Sequence, residues 1–327
     1  MTCHTPDRRH QILRRVFAAL ACAATMAVHA QGTYPERAIR ILTPYDPGSL
    51  VDTTTRIVAE GLKAELGQNV VVENRSGGMG MIAMNALLGA PADGYTLFTD
   101  TPASAINPTL HKARYNPKTD IAPIAQFMRL PFAIGASPSL AARNVAELVA
   151  HVRKNPGTVT VAVAGTSTGL VGELFAIQNG LRFQNIPYKG AAPAMLAVLK
   201  DEAKLVFLDA GNLAAHIAGG KMTGLLITSE QRWPSLKDVP TARESGMSGF
   251  EPHTWFGMFT RADVPADVQD RLNAAVRKVM ASPKVEEFLR QRGAIASTMT
   301  TEQFRQFFHR EVDTWAEVIR KADIKAE

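Results

Sequence analysis

The stretch Val159-Thr-Val-Ala-Val-Ala-Gly165-Thr-Ser-Thr-Gly169 decides the fold class of this chain. Its first six residues are β-branched or small and predict a strand, and the Gly-Thr-Ser-Thr-Gly segment predicts a loop into a helix that begins near Leu170. Such a loop places backbone N–H groups and hydroxyls at a helix start, where they suit an anionic ligand. An ordinary strand-to-helix turn with a Ser or Thr N-cap is the plainer alternative.

A second helix start follows 25 residues after the first. The segment Ile186-Pro-Tyr-Lys-Gly190-Ala-Ala-Pro-Ala194 predicts a turn at Gly190 and a helix over 191–200. Helix starts that follow parallel strands meet at the carboxyl edge of the sheet. We therefore predict one ligand site shared by both helix starts. Lys189, in this turn, is either a cation for the ligand or a solvated side chain.

The first loop also fits the G-x-S-x-G pattern of a hydrolase nucleophile elbow. Asp209 and then His216, His253 or His309 follow Ser167 in the chain order of such enzymes. No HGGG-type oxyanion motif precedes the loop. Ligand binding without catalysis is therefore our principal interpretation, and a secreted serine hydrolase that uses Ser167 is the alternative.

The first thirty residues have the pattern of a secretory signal. Four Arg residues between positions 8 and 15 precede an uncharged, mostly apolar run over 16–28, and Val28-His-Ala30 predicts cleavage after Ala30. The apolar run is too short to span a bilayer. Sec export, a twin-arginine route and a lipoprotein anchor at Cys22 stay open. Each of these routes predicts an exported protein.

Composition excludes several classes of function. Cys3 and Cys22 both lie in the predicted signal, so the mature chain is predicted to lack disulfides, a thiol nucleophile and a Cys-based metal site. The net charge of +6 includes four Arg and one Asp of the signal and leaves about +3 on the mature chain. No basic run interleaves with aromatics, which argues against nucleic-acid binding. The segment 78–83 matches the G-x-G-x-x-A pattern of dinucleotide-binding loops, but it does not directly follow a strand, so we predict no cofactor. We also predict no metal site.

Strands and helices alternate from residue 38 onward, which predicts an α/β fold with a parallel sheet. The first predicted elements are strands at 38–43, 69–73 and 95–99 and helices at 49–66 and 79–88. The region 101–120 is rich in Pro and Asn and is predicted to be irregular. Two short strands, 121–127 and 132–136, are predicted to flank a crossover at Arg129-Leu-Pro131. A second α/β set follows, and a strand at 253–260 is predicted to return the chain to the first.

Segments spread along the whole mature chain match, in order, the pattern of a known family. They are Tyr34-Pro-Glu-Arg-Ala-Ile-Arg40, Pro44-Tyr-Asp-Pro-Gly48, Asp52, Val71-Val-Glu-Asn-Arg75, Gly77 to Gly80, Pro91-Ala-Asp-Gly-Tyr95, Ile106-Asn-Pro108, Pro187-Tyr-Lys-Gly190, Asp238-Val-Pro-Thr241 and Trp255-Phe-Gly257. The chain therefore resembles the Bug-type solute-binding receptors of tripartite tricarboxylate transporters. The resemblance implies an α/β, two-lobed periplasmic binding protein fold, type II-like, with two crossovers between lobes and hinge closure on the ligand.

The resemblance also implies the organisation and partners of the chain. Lobe 1 is expected over 31–129 and 254–327, and lobe 2 over 130–253. The expected protein is a monomeric, non-enzymatic receptor in the periplasm that delivers a small organic acid to inner-membrane transporter subunits. A sensor kinase is an alternative partner.

Candidate ligand-binding residues follow from the same resemblance. Such receptors hold the carboxylate of their ligand with backbone N–H groups and ordered waters at helix N-termini. The matching positions in this chain are Tyr45, Ser49, Leu50, Val51, Asp52, Gly165, Thr166, Ser167, Thr168, Tyr188, Gly190, Ala191 and Asp209.

The first candidate loop departs from the pattern of these receptors. Asp46 follows Tyr45, and Ser49-Leu-Val51 stands where more Gly, Ser or Thr is usual. A carboxylate at position 46 that faced a partly buried site would repel an anionic ligand by on the order of 1 kcal/mol. Either Asp46 points away from the site, or the ligand is a zwitterionic, amide-bearing, aromatic or otherwise partly apolar acid rather than citrate.

Overall fold

The structure is a computed structural model and describes residues 34–325. The predicted signal, its cleavage site after Ala30 and both cysteines lie outside the described residues. Residues 34–36 belong to one compact unit, and the residues from 37 onward belong to another. The fold described below is that of the second unit. No helix between residues 34 and 325 is both long and apolar enough to cross a membrane.

The described part of this unit contains ten strands and ten α-helices. The strands are β1 Ile39–Thr43, β2 Val70–Asn74, β3 Thr96–Asp100, β4 Ile121–Ala136, β5 Thr160–Val163, β6 Gln184–Pro187, β7 Leu205–Asp209, β8 Thr223–Ile227, β9 His253–Arg261 and β10 Ile295–Ala296. The helices are α1 Leu50–Leu66, α2 Met81–Leu88, α3 Ala103–Leu110, α4 Val145–Lys154, α5 Thr166–Asn179, α6 Ala191–Leu199, α7 Ala210–Ala218, α8 Ala266–Met280, α9 Pro283–Gln291 and α10 Thr301–Lys321. Strands and helices alternate except where β9 follows β8 and α9 follows α8.

All ten strands join in one sheet with the order β2-β1-β3-β9-β4-β7-β5-β6, and β8 and β10 also pair with β4. The strands β2, β1 and β3 are parallel, as are β7, β5 and β6. These two parallel sets are the bases of the two lobes, which we call the first and the second lobe. The predicted α/β, two-lobed fold class is confirmed.

Strand β4 belongs to both lobes, which corrects the prediction of two short strands separated by Arg129-Leu-Pro131. Residues 121–131 of β4 pair with β9, whereas residues 132–136 pair with β7. Pro131 is the last β4 residue opposite β9, where it faces His253. A residue without an N–H is tolerated at such a change of partner because no ladder hydrogen bond depends on it. The lobe boundaries expected at 129/130 and 253/254 remain a prediction.

Helix α3 corrects a second prediction, that residues 101–120 are irregular. Pro108 lies inside this helix and cannot donate a hydrogen bond to the carbonyl of Ser104. The buried Tyr115 hydroxyl donates to that carbonyl instead, at 2.9 Å. The helix is therefore maintained by a tertiary contact that local sequence rules do not contain.

The last helix, α10, packs an aromatic face against the strand that returns from the second lobe. Phe304, Phe308 and Trp315 are buried in α10, and Trp255 is buried in β9. The indole N–H groups of Trp255 and Trp315 donate to the same carboxylate oxygen of Glu311, at 3.1 and 3.0 Å. Burial raises the pKa of Glu311. The aromatic face of α10 is therefore core packing that fixes β9 to α10.

Trp233 makes a different kind of contact, between segments that lie far apart in the chain. It follows β8 and is partly buried, and its indole lies against Gly293, just after α9. A side chain at position 293 has no room beside the ring. The contact connects the end of the second-lobe segment to the C-terminal part of the first lobe.

Candidate ligand-binding site

Helix α5 begins directly after Gly165, earlier than the predicted start near Leu170. Gly165 has φ 128° and ψ 178°, a backbone conformation that favours glycine. Thr166, Ser167 and Thr168 are thus the first turn of the helix and not a preceding loop. No side chain caps this start, so the N–H groups of the first turn are left for an external acceptor.

The hydroxyl of Thr168 is already used within the turn. It donates to the Gly165 carbonyl oxygen at 2.8 Å and accepts from the Ala164 N–H at 3.0 Å. Helix α6 starts with the same backbone geometry, since Gly190 has φ 102° and ψ 179° and no side chain caps the helix. The two helix starts of the second lobe are therefore both uncapped, but α5 has N–H groups at its first three positions, whereas Pro193 leaves α6 with only two.

The candidate loop of the first lobe is bonded internally. Ser49 caps α1 and accepts from the Asp52 N–H at 3.2 Å. The buried Asp52 carboxylate accepts from the Gly48 N–H (2.9 Å), the Asn74 amide (2.7 Å) and the Arg56 guanidinium (3.0 Å). Burial alone would raise the pKa of Asp52, but these hydrogen bonds outweigh it and hold the pKa below its usual value.

Tyr45 of this loop is bonded to the end of β3. Its hydroxyl donates to the Asp100 carboxyl at 2.8 Å and lies 2.7 Å from the Thr101 hydroxyl. Asp100 ends β3 and is only 4% exposed. Burial raises the pKa of Asp100 to about 7, despite the opposing hydrogen bonds from the Thr101 N–H and Tyr45. The Tyr45 hydroxyl remains protonated, because burial and the nearby Asp100 charge raise its pKa well above the usual value.

Two adjoining cavities lie where these elements of the two lobes meet. The inner cavity, of about 270 Å³, is lined by Pro44, Tyr45, Gly77, Met79, Gly80, Asp100, Ala103, Ile106, Asn107, His111, Thr166 and Ser167. The outer cavity, of about 520 Å³, is lined by Met79, Leu110, His111, Val163, Gly165, Thr166, Gly169, Leu170, Glu173, Asn185, Pro187, Tyr188, Ile324 and Lys325.

The two linings share three residues, Met79, His111 and Thr166. Apolar surface makes up most of both linings, with the polar side chains of Asp100 and Asn107 in the inner cavity and that of Tyr188 in the outer cavity. Within residues 34–325, neither lining contains an Arg, and Lys325 supplies the single Lys. A ligand here would be held chiefly by uncharged donors.

Five candidate residues from the sequence line these cavities. They are Tyr45, Gly165, Thr166, Ser167 and Tyr188. The remaining eight candidates line neither cavity: Ser49, Leu50, Val51, Asp52, Thr168, Gly190, Ala191 and Asp209. The first loop faces elsewhere, because Pro47, Gly48 and Asp52 border a separate cavity of about 690 Å³ beside α8 and α9.

The charged residues that the sequence left open also lie outside both linings. Asp46 is exposed, and its carboxylate accepts from the Ser76 hydroxyl at 2.6 Å. Lys189 is exposed at the turn before α6. Asp209 ends β7 with one buried carboxyl oxygen that lacks a hydrogen-bond partner among the described residues. Burial raises the pKa of Asp209, and the Thr254 hydroxyl opposes that shift.

The residues named for a hydrolase do not gather around Ser167. Neither Asp209 nor any of His216, His253 and His309 lines the inner cavity with it. His253 instead contacts the Glu251 carbonyl oxygen at 2.6 Å, and burial lowers its pKa to about 4. His111 shares the cavity with Ser167. The partners named for the hydrolase are therefore not assembled with Ser167 in this cavity.

Nine residues that line the inner cavity were not among the candidates from the sequence, and they include Met79, Asp100, Asn107 and His111. Asp100 had a recognisable signal, since it directly follows a buried strand and precedes Thr101. Asn107 and His111 come from the region that Pro108 made appear irregular. Met79 lies among glycines and offers no signal of its own. No group of three or more potential metal ligands occurs within residues 34–325.

Comparisons with known proteins identify the family and the fold of this chain. A family model described as "Tripartite tricarboxylate transporter family receptor" matches residues 54–324. BugT of Bordetella pertussis is 31% identical over 314 residues, which are 94% of this chain and 95% of BugT. The structure of the periplasmic binding protein BugD is 32% identical, with a TM-score of 0.67 over 90% of this chain and 100% of BugD.

Three further solved structures differ in what they contain. A solute-binding protein from Polaromonas, solved with no ligand, has a TM-score of 0.81 at 25% identity and covers 88% of this chain and 100% of its own. An R. palustris protein with adipate has a TM-score of 0.69 at 28% identity and covers 89% of this chain and 99% of its own. MatC from Rhodopseudomonas palustris with bound malate has a TM-score of 0.67 at 26% identity and covers 88% of this chain and 100% of its own.

Proposed function

The chain belongs to the tripartite tricarboxylate transporter receptor family, and from this premise we propose that it captures a small organic acid in the inner cavity and delivers it to an inner-membrane transporter. As a Bug-type member it is a periplasmic solute-binding receptor. Its role as a binding protein follows from the family. The proposal concerns the ligand, the residues that hold it and the partner that receives it.

One observation carries the proposal. The uncapped first turn of α5 presents the N–H groups of Thr166 and Ser167 to a cavity that Tyr45 and Asp100 close from the other lobe. A helix start of this kind attracts a carboxylate through its free donors and its dipole. Because both lobes line the cavity, a ligand there gains contacts when they approach each other.

The lining favours an acid of low charge. Citrate carries three carboxylates, and the two cavities offer it no Arg and one Lys, at position 325. The partly charged Asp100 adds repulsion inside the inner cavity. The preference for a partly apolar acid, first inferred from Asp46, Leu50 and Val51, therefore rests on the cavity charges, since those three residues line neither cavity.

Hinge closure is supported by the comparison of conformations. The structure superposes better on the Polaromonas protein without ligand than on the adipate- and malate-bound proteins, although the sequence identities are similar. We infer that the present arrangement is the open one. Adipate and malate are ligands of those two proteins, and both are small carboxylates, which is the class proposed here.

Isothermal titration calorimetry of the mature protein tests the proposal with a panel of carboxylates. We expect binding of small mono- and dicarboxylates and little or no binding of citrate. A ligand that binds only the folded state stabilises it by about 2.7 kcal/mol at a hundredfold excess over Kd, which gives a thermal shift of several degrees. Citrate as the tightest binder would contradict the proposed ligand class.

The hydrolase alternative is separated from binding by Ser167→Ala. Loss of one hydroxyl weakens binding by roughly 0.5–1.5 kcal/mol and leaves the backbone donors in place, so the ligand-induced thermal shift should shrink and persist. A nucleophile would instead react with a fluorophosphonate in the wild type and not in the variant. Such labelling would overturn the receptor assignment.

Delivery to a transporter is tested in cells. Deletion of the gene for this chain should abolish concentrative uptake of the radiolabelled acid that calorimetry identifies, and the wild-type gene should restore it. Unchanged uptake together with lost induction of a catabolic gene would point to a sensor kinase as the partner.

A further inference from the structure

Met79 has a backbone conformation that side-chain-bearing residues rarely adopt. Its φ is 52° and ψ 39°, in the left-handed region. Gly77, Gly78 and Gly80 around it also have positive φ. A non-glycine residue within such a run carries conformational strain of the kind that concentrates at ligand sites.

A side chain from another helix holds this strained residue in place. The Asn107 amide of α3 donates to the Met79 carbonyl oxygen at 2.8 Å. The Gly80 N–H donates to the Gly77 carbonyl oxygen at 3.1 Å and closes the turn. The backbone of Met79 is therefore fixed, although its side chain is 58% exposed.

The exposed side chain lies at the junction of the two cavities. Met79 lines both of them, together with His111 from the end of α3 and Thr166 from the other lobe. Among these three residues, Met79 has the long, flexible apolar side chain. Its thioether adapts to an irregular surface more readily than a branched residue would.

We propose that Met79 is a specificity-determining residue that divides the cleft and limits the length of the acid that binds. The inference rests on the proposed function of the inner cavity. With Met79 in place, the carboxylate occupies the start of α5, and the rest of the ligand is confined to the inner cavity. The thioether packs against the apolar part of the ligand and blocks the way to the outer cavity.

The two cavities differ in size. The inner cavity has a volume of about 270 Å³, about half that of the outer cavity. The outer cavity of about 520 Å³ becomes continuous with it when the side chain at position 79 is shortened. Acids with a longer apolar chain then gain a place to extend among Leu110, Val163 and Leu170.

The experiment compares wild type, Met79→Ala and Ile82→Ala. Ile82 is a matched control, because it is a nearby apolar side chain that is 52% exposed and lines neither cavity. Calorimetry measures Kd for straight-chain monocarboxylates from butanoate to decanoate, for the corresponding dicarboxylates, and for benzoate and 5-phenylpentanoate. Circular dichroism verifies that each variant is folded.

In wild type, affinity should fall once the apolar chain of the acid becomes too long for the inner cavity. Met79→Ala should raise the affinity for acids two or more methylenes longer by about tenfold or more, since each methylene in an apolar pocket is worth about 10-fold or more in binding. It should lower the affinity for the best short acid a few-fold. Ile82→Ala should leave the profile unchanged.

The outcomes separate this inference from the proposed function. If wild type and Met79→Ala bind acids with the same order of preference, Met79 does not divide the cleft, and the receptor still binds acids. An equal change in Ile82→Ala would assign the effect to the loop as a whole and contradict the inference. If no variant binds any acid, the proposed function fails, and the inference fails with it.

Discussion

The first-lobe loop and the start of α5 have similar compositions, yet they differ in what they leave for a ligand. Both follow a strand of a parallel set and lead into a helix. In the first, Ser49 and Asp52 occupy the local N–H groups, and the loop faces a cavity beside α8 and α9. In the second, Gly165 leaves the helix start uncapped and turned to the cleft.

The difference shows that a Ser- or Gly-containing turn is a binding element only when its donors remain unused. A capping side chain stabilises the helix, but it accepts hydrogen bonds from the same N–H groups that could otherwise bind a ligand. Glycine at the N-cap gives up that stabilisation and keeps the donors. Four predictions test this contrast.

The largest effect is expected from Asp52→Ala, which removes the acceptor that organises the first loop. The Gly48 N–H, the Asn74 amide and the Arg56 guanidinium lose their common partner, so the free energy of unfolding should fall by roughly 3 kcal/mol. Urea denaturation measures the change. Ligand affinity should change little, because Asp52 lines neither cleft cavity. Lost affinity in a folded variant would place this loop in the site.

The next effect concerns the backbone donors of the second lobe. Thr166→Pro removes one N–H at the first helical position, where proline is tolerated and the preceding Gly165 is already extended. Affinity for the acid should fall by about 2 kcal/mol, the worth of a hydrogen bond to a charged group. Calorimetry measures the loss of affinity. Thr166→Ala removes only the side chain and so shows how much of that loss is due to the hydroxyl and not to the N–H group.

Ala191→Pro provides the matched comparison at α6. It alters the same helical position after Gly190, whose ψ is also extended, but Ala191 lines neither cavity. We expect less than a threefold change in affinity. Equal losses in the two proline variants would show that both helix starts hold the ligand, as the sequence alone suggests.

A pH effect should follow from Asp100, which faces the inner cavity from the first lobe. Its folded pKa, about 7, lies above the unfolded value of 3.8, so the folded state binds the proton more tightly. The associated stability is complete below pH 4 and is lost as the pH rises through about 7, with a slope of at most about 1.4 kcal/mol per pH unit. Urea denaturation between pH 4 and 8 should show a smaller slope in Asp100→Asn. An identical slope would mean that Asp100 titrates normally.

The smallest effect is expected from Asp46→Ala. The carboxylate is exposed, contacts Ser76 and lies outside both cavities, so stability should change by less than about 0.5 kcal/mol and dicarboxylate affinity should stay constant. Calorimetry with adipate decides this. A clear gain in affinity would mean that Asp46 turns to the ligand when the lobes close.

Much of the fold was predictable, because it depends on local patterns. Helix α1 ends at Gly67 in the left-handed conformation, as glycine after a periodic apolar run indicates. The alternation of strands and helices identified both parallel sets. Helix α3 and the continuous β4 were missed, because Pro108 and Pro131 are accommodated by a distant tyrosine and by a change of strand partner.

The candidate site was less predictable for a related reason. The sequence indicates which turns have donors, but orientation decides which donors face the cleft. Tyr45 and Asp52 are seven positions apart, and one borders the inner cavity whereas the other is buried beneath its own loop. Asp100 and His111 reach the same cavity from β3 and α3, which is a result of packing and not of any motif.

The arrangement of the three tryptophans makes intrinsic fluorescence a selective reporter of lobe motion. Trp255 and Trp315 are buried and share the Glu311 carboxylate, so their emission should be insensitive to ligand. Trp233 instead lies partly buried against Gly293, a contact between segments that are predicted to belong to different lobes. A change in emission on ligand addition would therefore arise from one indole, and Trp233→Phe provides a receptor that should bind without an optical signal.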